Sequence, residues 1–242
     1  EYSLKIKDIY KDSLGENNAI YLKILAWTGF LQNLSGDYRS AIGSNVSLLG
    51  NFNTLPGFQD KFIYAQGLLN LGDVYIQLGD FKEAEKHTLA ALEIVYEQDS
   101  TREYVFLNQL GVIHTRLANY QRAEQYLIAA FKAAKKVNFN FSYFPEVSVF
   151  RNLGILYSDI GDYKEAEKYL TKDLELKLEW GQEHPFYAKS LNNLGNLYSD
   201  LGDYAKAEEY YLQCLAIYKK VLGEEHPDFL LSQENLALLH FK

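Results

Sequence analysis

Apolar and polar positions along the chain recur with a period near 42 residues, and inside each period their spacing is helical. The clearest copy is Asn193-Leu-Gly-Asn-Leu-Tyr198-Ser-Asp-Leu-Gly-Asp-Tyr204. Close relatives of it start at Asn152 and Asn70, and weaker ones at Gln109 and Trp27. The anchor glycines are Gly29, Gly72, Gly111, Gly154 and Gly195, spaced by 43, 39, 43 and 41 residues, and one further step of 42 lands on Ala237. Apolar residues fall four before, one before and three after each glycine, as in Leu191, Leu194 and Tyr198 or Leu68, Leu71 and Tyr75. That pattern lines one face of an α-helix. A Gly-Asp or Ala-Asn turn follows, and then a second helical pattern. Asp80 and Asp162 are suited to cap that second helix, each with a glutamate three residues on (Glu83, Glu165), the signature of a capping box; Asp37 and Asp203 can cap without that partner. Twelve residues after each glycine comes an alanine, at Ala41, Ala84, Ala123, Ala166 and Ala207. Small residues on both helices of a pair allow close approach, which accounts for a mid-helix glycine that costs about 1 kcal/mol relative to alanine.

The start of the chain keeps the same register. Ile9–Glu16 parallels Ile217–Glu224 at an offset of 208, which carries Gly29 onto position 237. The expected organisation is therefore a second helix over 1–18, repeats over 19–60, 61–99, 100–144, 145–183 and 184–226, and a first helix over 227–242. With no linker or composition shift, this predicts one all-α domain of about 12 helices. Such units cannot bury their apolar faces alone, and stacking makes one continuous core.

Composition narrows the function. Lys+Arg is 24 against 32 Asp+Glu, a net charge of −8, which disfavours nucleic acid and anionic membrane as partners. A single cysteine excludes an intramolecular disulfide and fits a reducing, cytoplasmic setting. No apolar stretch approaches a membrane span, and Glu1-Tyr-Ser-Leu-Lys is not a secretory leader. The chain has no methionine, so it is expected to be a piece of a longer protein or a processed one.

These residues resemble the tetratricopeptide repeat, whose pattern is a bulky residue, Leu-Gly, Tyr and then a small residue in a helix–turn–helix of about 34 residues. The longer unit here, joined by Leu-Gly-Glu-Glu-His226-Pro227 or Gly-Gln-Glu-His184-Pro185, is similar to the kinesin-light-chain subtype, which also recurs in bacterial multidomain signalling proteins. The first unit departs from the pattern, with Thr28 and Gln32 in place of Leu and Tyr. The resemblance implies a right-handed superhelical solenoid that binds a peptide or helix in its concave groove. The partner would be another protein or a further domain of the parent chain. It also implies an alternative, a sensor module of a larger enzyme such as a caspase-like protease or kinase, with catalysis outside these residues.

No catalytic constellation, metal-ligand set or cofactor motif is present, and the chain is expected to be no enzyme. Cys214 falls on the inward face of a second helix and reads as a buried thiol. His184 and His226 precede prolines at helix starts, and His114 and His240 take the place of the core tyrosine. Positions three before, one after and four after each glycine form a second face, which by resemblance lines the groove. They are Ala26, Phe30, Asn33; Leu69, Asp73, Ile76; Asn108, Val112, Thr115; Arg151, Ile155, Ser158; and Asn192, Asn196, Ser199. Amides and hydroxyls there can pair with a peptide backbone, and apolar positions can take its side chains; the alternative is an ordinary solvated face. Asn70, Asn152, Asn193 and Asn235 form a further row, two before the glycine, suited either to bonding between repeats or to ligand contact. The expected peptide-binding residues are thus Asn70, Asp73, Asn108, Thr115, Arg151, Asn192, Asn196 and Ser199. The connector 137–145, with four aromatics, is either packing or a partner contact.

Overall fold

In a computed structural model the described residues are 9, 11–13, 15, 18–52, 61–98, 102–136 and 146–241, with the side chains of Gln98, Glu146 and Val147 excepted. The expected helix over 1–18 lies largely outside them, and the aromatic connector 137–145 lies wholly outside. Every regular element of more than one turn among the described residues is an α-helix: α1 (Ala19–Leu34), α2 (Tyr38–Phe52), α3 (Lys61–Gln77), α4 (Phe81–Gln98), α5 (Glu103–Arg116), α6 (Tyr120–Lys135), α7 (Glu146–Ile160), α8 (Tyr163–Leu178), α9 (Pro185–Asp200), α10 (Tyr204–Val221) and α11 (Pro227–Leu239). The chain divides into two compact units, Glu1–Ala133 and Ala134–Lys242. Within the first, α1 pairs with α2 and α3 with α4, while α3 packs on α1 and α2, and α5 on α3 and α4. Within the second, α7 pairs with α8 and α9 with α10, α9 packs on α7 and α8, and α11 on α9 and α10.

The turn inside each pair is built the same way each time. The residue at the turn centre has positive φ: Gly36 79°, Gly79 76°, Gly161 86°, Gly202 76°, and Ala118 at 55° where alanine stands in for glycine. The amide after it reaches back five residues, as in Asp80 N to Tyr75 O at 2.9 Å and Asp162 N to Tyr157 O at 2.9 Å, closing a Schellman motif. That bond alters the expected capping box. Asp80 and Asp162 accept from the Glu83 and Glu165 amides, both at 3.2 Å. The Asp N–H groups are already spent on the turn, so the glutamates pair instead with Lys86 (2.8 Å) and Lys168 (2.6 Å). His184 and His226 are the N-caps of α9 and α11, each Nδ1 accepting from the amide two residues on at 3.2 Å, with proline at the next position.

The anchor glycines admit a side chain from the second helix of the same pair. A β-carbon at Gly72, Gly111, Gly154 or Gly195 would lie 2.5–2.6 Å from Thr88, Leu127, Leu170 or Tyr211. Each of those residues stands sixteen after its glycine, so the small position is filled by a large neighbour as well as by the buried alanines. The residues three and fifteen after the glycine stack as parallel rings: Tyr75 on His87, His114 on Tyr126, Tyr157 on Tyr169 and Tyr198 on Tyr210, with centroids 5.2–5.5 Å apart. His240 departs from this row. It is exposed, with its Nε2 3.9 Å from Glu208 Oε1. In the divergent first pair, Thr28 and Gln32 are buried, and Gln32 accepts from Ser44 at 2.8 Å.

Where a second helix meets the next first helix, one equivalent contact takes different chemistry in each unit. In the first unit Leu48 fills the space left by Gly67. In the second unit Cys214 Sγ lies 3.4 Å from Ser232 Oγ, and at the preceding repeat Asp173, Lys177 and Ser190 form a sealed polar trio. Lys177 Nζ reaches Asp173 Oδ2 at 2.7 Å and Ser190 Oγ at 2.9 Å, and Ser190 Oγ donates to the same carboxylate at 2.5 Å. Asp173 is 0% exposed and Lys177 3%. Burial lowers the Lys177 ammonium to about 8, with the Asp173 charge opposing that shift. Removing one member strands the other charge, whereas removing all polarity does not. Asp173→Ala is expected to cost about 3–5 kcal/mol in urea unfolding, while Asp173→Leu, Lys177→Met and Ser190→Ala together should be neutral or stabilising by about 1–4 kcal/mol.

Candidate peptide-binding face

In the second unit, α7, α9 and α11 line an open cavity of about 360 Å³. Its floor includes Leu170 and Tyr211, the two side chains seated over Gly154 and Gly195. Tyr211 donates its hydroxyl proton to Asn196 Oδ1 at 2.7 Å. Burial first, and the Asp200 charge second, push this phenol up to about 12, so it remains a donor near neutral pH. The Asn196 side chain is exposed at the cavity, with no hydrogen bond from its Nδ2 among the described residues. Ser158 and Ser199 line the same wall, Ile155, Leu197, Leu238 and Leu239 supply apolar surface, and Asp159 and Asp200 stand exposed at the ends of α7 and α9.

The first unit carries a larger cavity of about 520 Å³ between α1 and α3, reached by Arg102 at the start of α5. Ala26, Trp27, Phe30, Phe62 and Ile63 make it apolar and aromatic, and the Arg102 guanidinium lies 4.1 Å over the Phe62 ring. Beside it, amides tie one repeat to the next. Asn70 Nδ2 donates to Ala26 O at 3.0 Å and Asn45 Oδ1 at 3.2 Å, while its Oδ1 accepts from Gln66 at 3.0 Å. Gln109, two before Gly111, plays the same part. Its Nε2 donates to Leu69 O at 3.1 Å and to Asp73 Oδ1 at 2.5 Å, and its Oε1 lies 2.5 Å from Thr88 Oγ1. Burial raises the Asp73 carboxyl from 3.8 to about 6, and the Gln109 hydrogen bond only partly offsets it.

The tetratricopeptide repeat family profile matches residues 64–136, 103–179, 145–220 and 186–242. The chain belongs to the tetratricopeptide repeat family. No curated protein sequence matches it. Among solved structures it is similar to BtubC (BKLC) from P. vanneervenii, with 24% identity over 93% of this chain and 90% of that one and a TM-score of 0.66. It is also similar to putative kinesin light chain repeats from Podosopora anserina, with 17% identity over 83% and 96% and a TM-score of 0.61. A third similar structure is NprR in complex with its cognate peptide NprX, with 17% identity over 98% and 68% and a TM-score of 0.67. At these identities the likeness is one of fold: kinesin-light-chain-like stacked tetratricopeptide pairs.

In that frame the residues expected on the groove separate. Asn196 and Ser199 come together on the second unit's cavity. Asn192 is buried beside it and accepts from Asn235 Nδ2 at 3.2 Å, and Arg151 is half-buried with Nε 3.5 Å from Asn152 Oδ1; neither lines the cavity. In the first unit Asn70 touches the cavity but is 2% exposed, with its amide engaged between repeats. Asp73 is held by Gln109, Thr115 bonds its own helix at Gly111 O (2.9 Å), and Asn108 is half-buried. Sequence reasoning passed over Tyr211, Asp159 and Asp200, although a search for period at sixteen and five after the glycine would have found them. The Cys214 thiol is buried and pushed up to about 11 by that burial, which makes it a poor nucleophile. Among the described residues no group of three or more His, Cys, Asp or Glu could hold a metal ion, and no helix is long and apolar enough to cross a membrane.

Because the folded Asp73 carboxyl titrates above its ordinary value, folding favours its protonated form. Stability from this group is full below pH 4 and is lost as pH rises through about 6. Asp73→Asn should therefore raise stability at pH 7 by about 1–2 kcal/mol, with the gain vanishing near pH 4, as read from urea midpoints at the two pH values.

Proposed function

We propose that this chain is a non-catalytic interaction module that binds a peptide of a partner protein, or of a further segment of its own parent chain, on the face formed by the first helices α7, α9 and α11 of its second unit. The observation that carries this reading is the second unit's cavity, where Asn196 and Ser199 share a wall with Ile155 and Leu238. An amide whose oxygen is already occupied by Tyr211 still offers two N–H donors, which suit peptide carbonyls, and the apolar neighbours suit alternate side chains. A structure of similar fold, NprR, holds its cognate peptide, which supports peptide as the ligand class. The acidic balance of −8 disfavours nucleic acid and anionic membrane as partners. The Cys214 thiol and the Lys177 amine are both sealed inside the packing, so neither is offered to a substrate.

The test uses peptides selected on the intact chain by phage display. Asn196→Ala combined with Ser199→Ala should weaken their binding about 10- to 30-fold, the loss of two hydrogen bonds at about 1 kcal/mol each, with circular dichroism unchanged. Binding within twofold of the parent, fold intact, would reject this face.

A further inference from the structure

The cavity of the second unit differs from an unspecialised peptide groove in its electrostatics. It lies against the C-terminal turns of two first helices, where Ser158 and Asp159 end α7 and Ser199 and Asp200 end α9, and against Leu238 and Leu239 of α11. A helix C-terminus carries partial negative charge, so two of them at one cavity favour a cation before any side chain is counted. Both then place a carboxylate there, at the equivalent position of successive repeats, five after Gly154 and five after Gly195. No Lys, Arg or His is among the residues that line it. The Asp200 charge is felt inside the cavity, since it helps hold the proton on Tyr211. The first unit's cavity has the opposite character, with Lys23 and Arg102 among its lining residues.

The walls and the volume add shape to that charge. Ile155 and Leu238 present apolar surface beside the carboxylates, and Leu238 is 55% exposed. A long basic side chain matches such a site, because its methylene stem covers apolar surface while its head stays at the wet, charged rim. The cavity of about 360 Å³ has room for about a dozen waters at ~30 Å³ each, enough for one such side chain and the adjoining backbone. The Nδ2 groups of Asn193 and Asn196, both without a hydrogen bond among the described residues, are donors on the same walls.

Resting on the peptide-binding reading above, we propose that this cavity takes a lysine or arginine side chain of an extended peptide. The stem lies on Ile155 and Leu238, and the cationic head sits between Asp159 and Asp200. The specificity of the second unit is therefore for a basic residue.

The probes are three pools of end-blocked heptapeptides, degenerate except for a central arginine, norleucine or glutamate, titrated onto the intact chain by fluorescence anisotropy. The arginine pool should bind about tenfold more tightly than the norleucine pool, weaken as salt is raised, and lose that preference in Asp159→Asn with Asp200→Asn. Both substituted side chains are exposed, so the fold should survive. Leu238→Ala provides a second reading, and should weaken the arginine and norleucine pools alike. Equal or tighter binding of the norleucine or glutamate pool, or an arginine preference that survives the double substitution, would overturn the basic-residue assignment and leave the peptide-binding face standing. Binding of no pool at millimolar concentration would overturn both.

Discussion

The architecture depends on one steric fact repeated along the chain: a first helix has no side chain at its anchor position, and the second helix of the pair lays one of its own into that space. Gly111 receives Leu127, Gly154 receives Leu170 and Gly195 receives Tyr211. Interiors are packed too tightly to leave such a site empty or to admit a methyl group in addition. The glycine thus sets the separation of each pair and the depth at which the opposing side chain sits. The stacked rings three and fifteen residues after it, such as Tyr157 on Tyr169, complete the same seam.

The seam also shapes the candidate site. Leu170 and Tyr211 are at once the seam-filling side chains and part of the cavity floor. Because Tyr211 is pinned over Gly195, its hydroxyl is delivered to Asn196 and fixes the orientation of that amide. No residue lining this cavity belongs to a loop; all stand on helices whose spacing is set by core packing, so the candidate site is organised by the fold itself.

Much of this was legible from the chain alone. Period, helix pairing and turn chemistry all rest on local rules, and Gly79-Asp80 or Gly161-Asp162 announce themselves in any copy. The face holding Ile155, Ser158, Asn196 and Ser199 followed from helical azimuth, and these four do meet at one cavity. Azimuth fails where the answer depends on what the neighbouring repeat supplies. Asn192 stands at a groove-side position, yet it is engaged by Asn235 of the adjacent repeat, while Asn70, in the row two before the glycine, takes the repeat-to-repeat bonding that was one of its two readings, through Ala26 and Asn45. The trio of Asp173, Lys177 and Ser190 was invisible for the same reason, since an i, i+4 acid–lysine pair on a helix ordinarily marks a solvated face, and only the arrival of Ser190 from the next helix seals it.

The claim that the glycine seam governs both packing and site is tested most directly by a double-mutant cycle at Gly195 and Tyr211, read by urea unfolding. With Tyr211 present, Gly195→Ala should cost about 1–3 kcal/mol through overpacking. In a Tyr211→Ala background the clash is gone, and the same change should be neutral or stabilising by up to about 1 kcal/mol, the ordinary helical gain of alanine over glycine. Equal effects of Gly195→Ala in the two backgrounds would contradict the account.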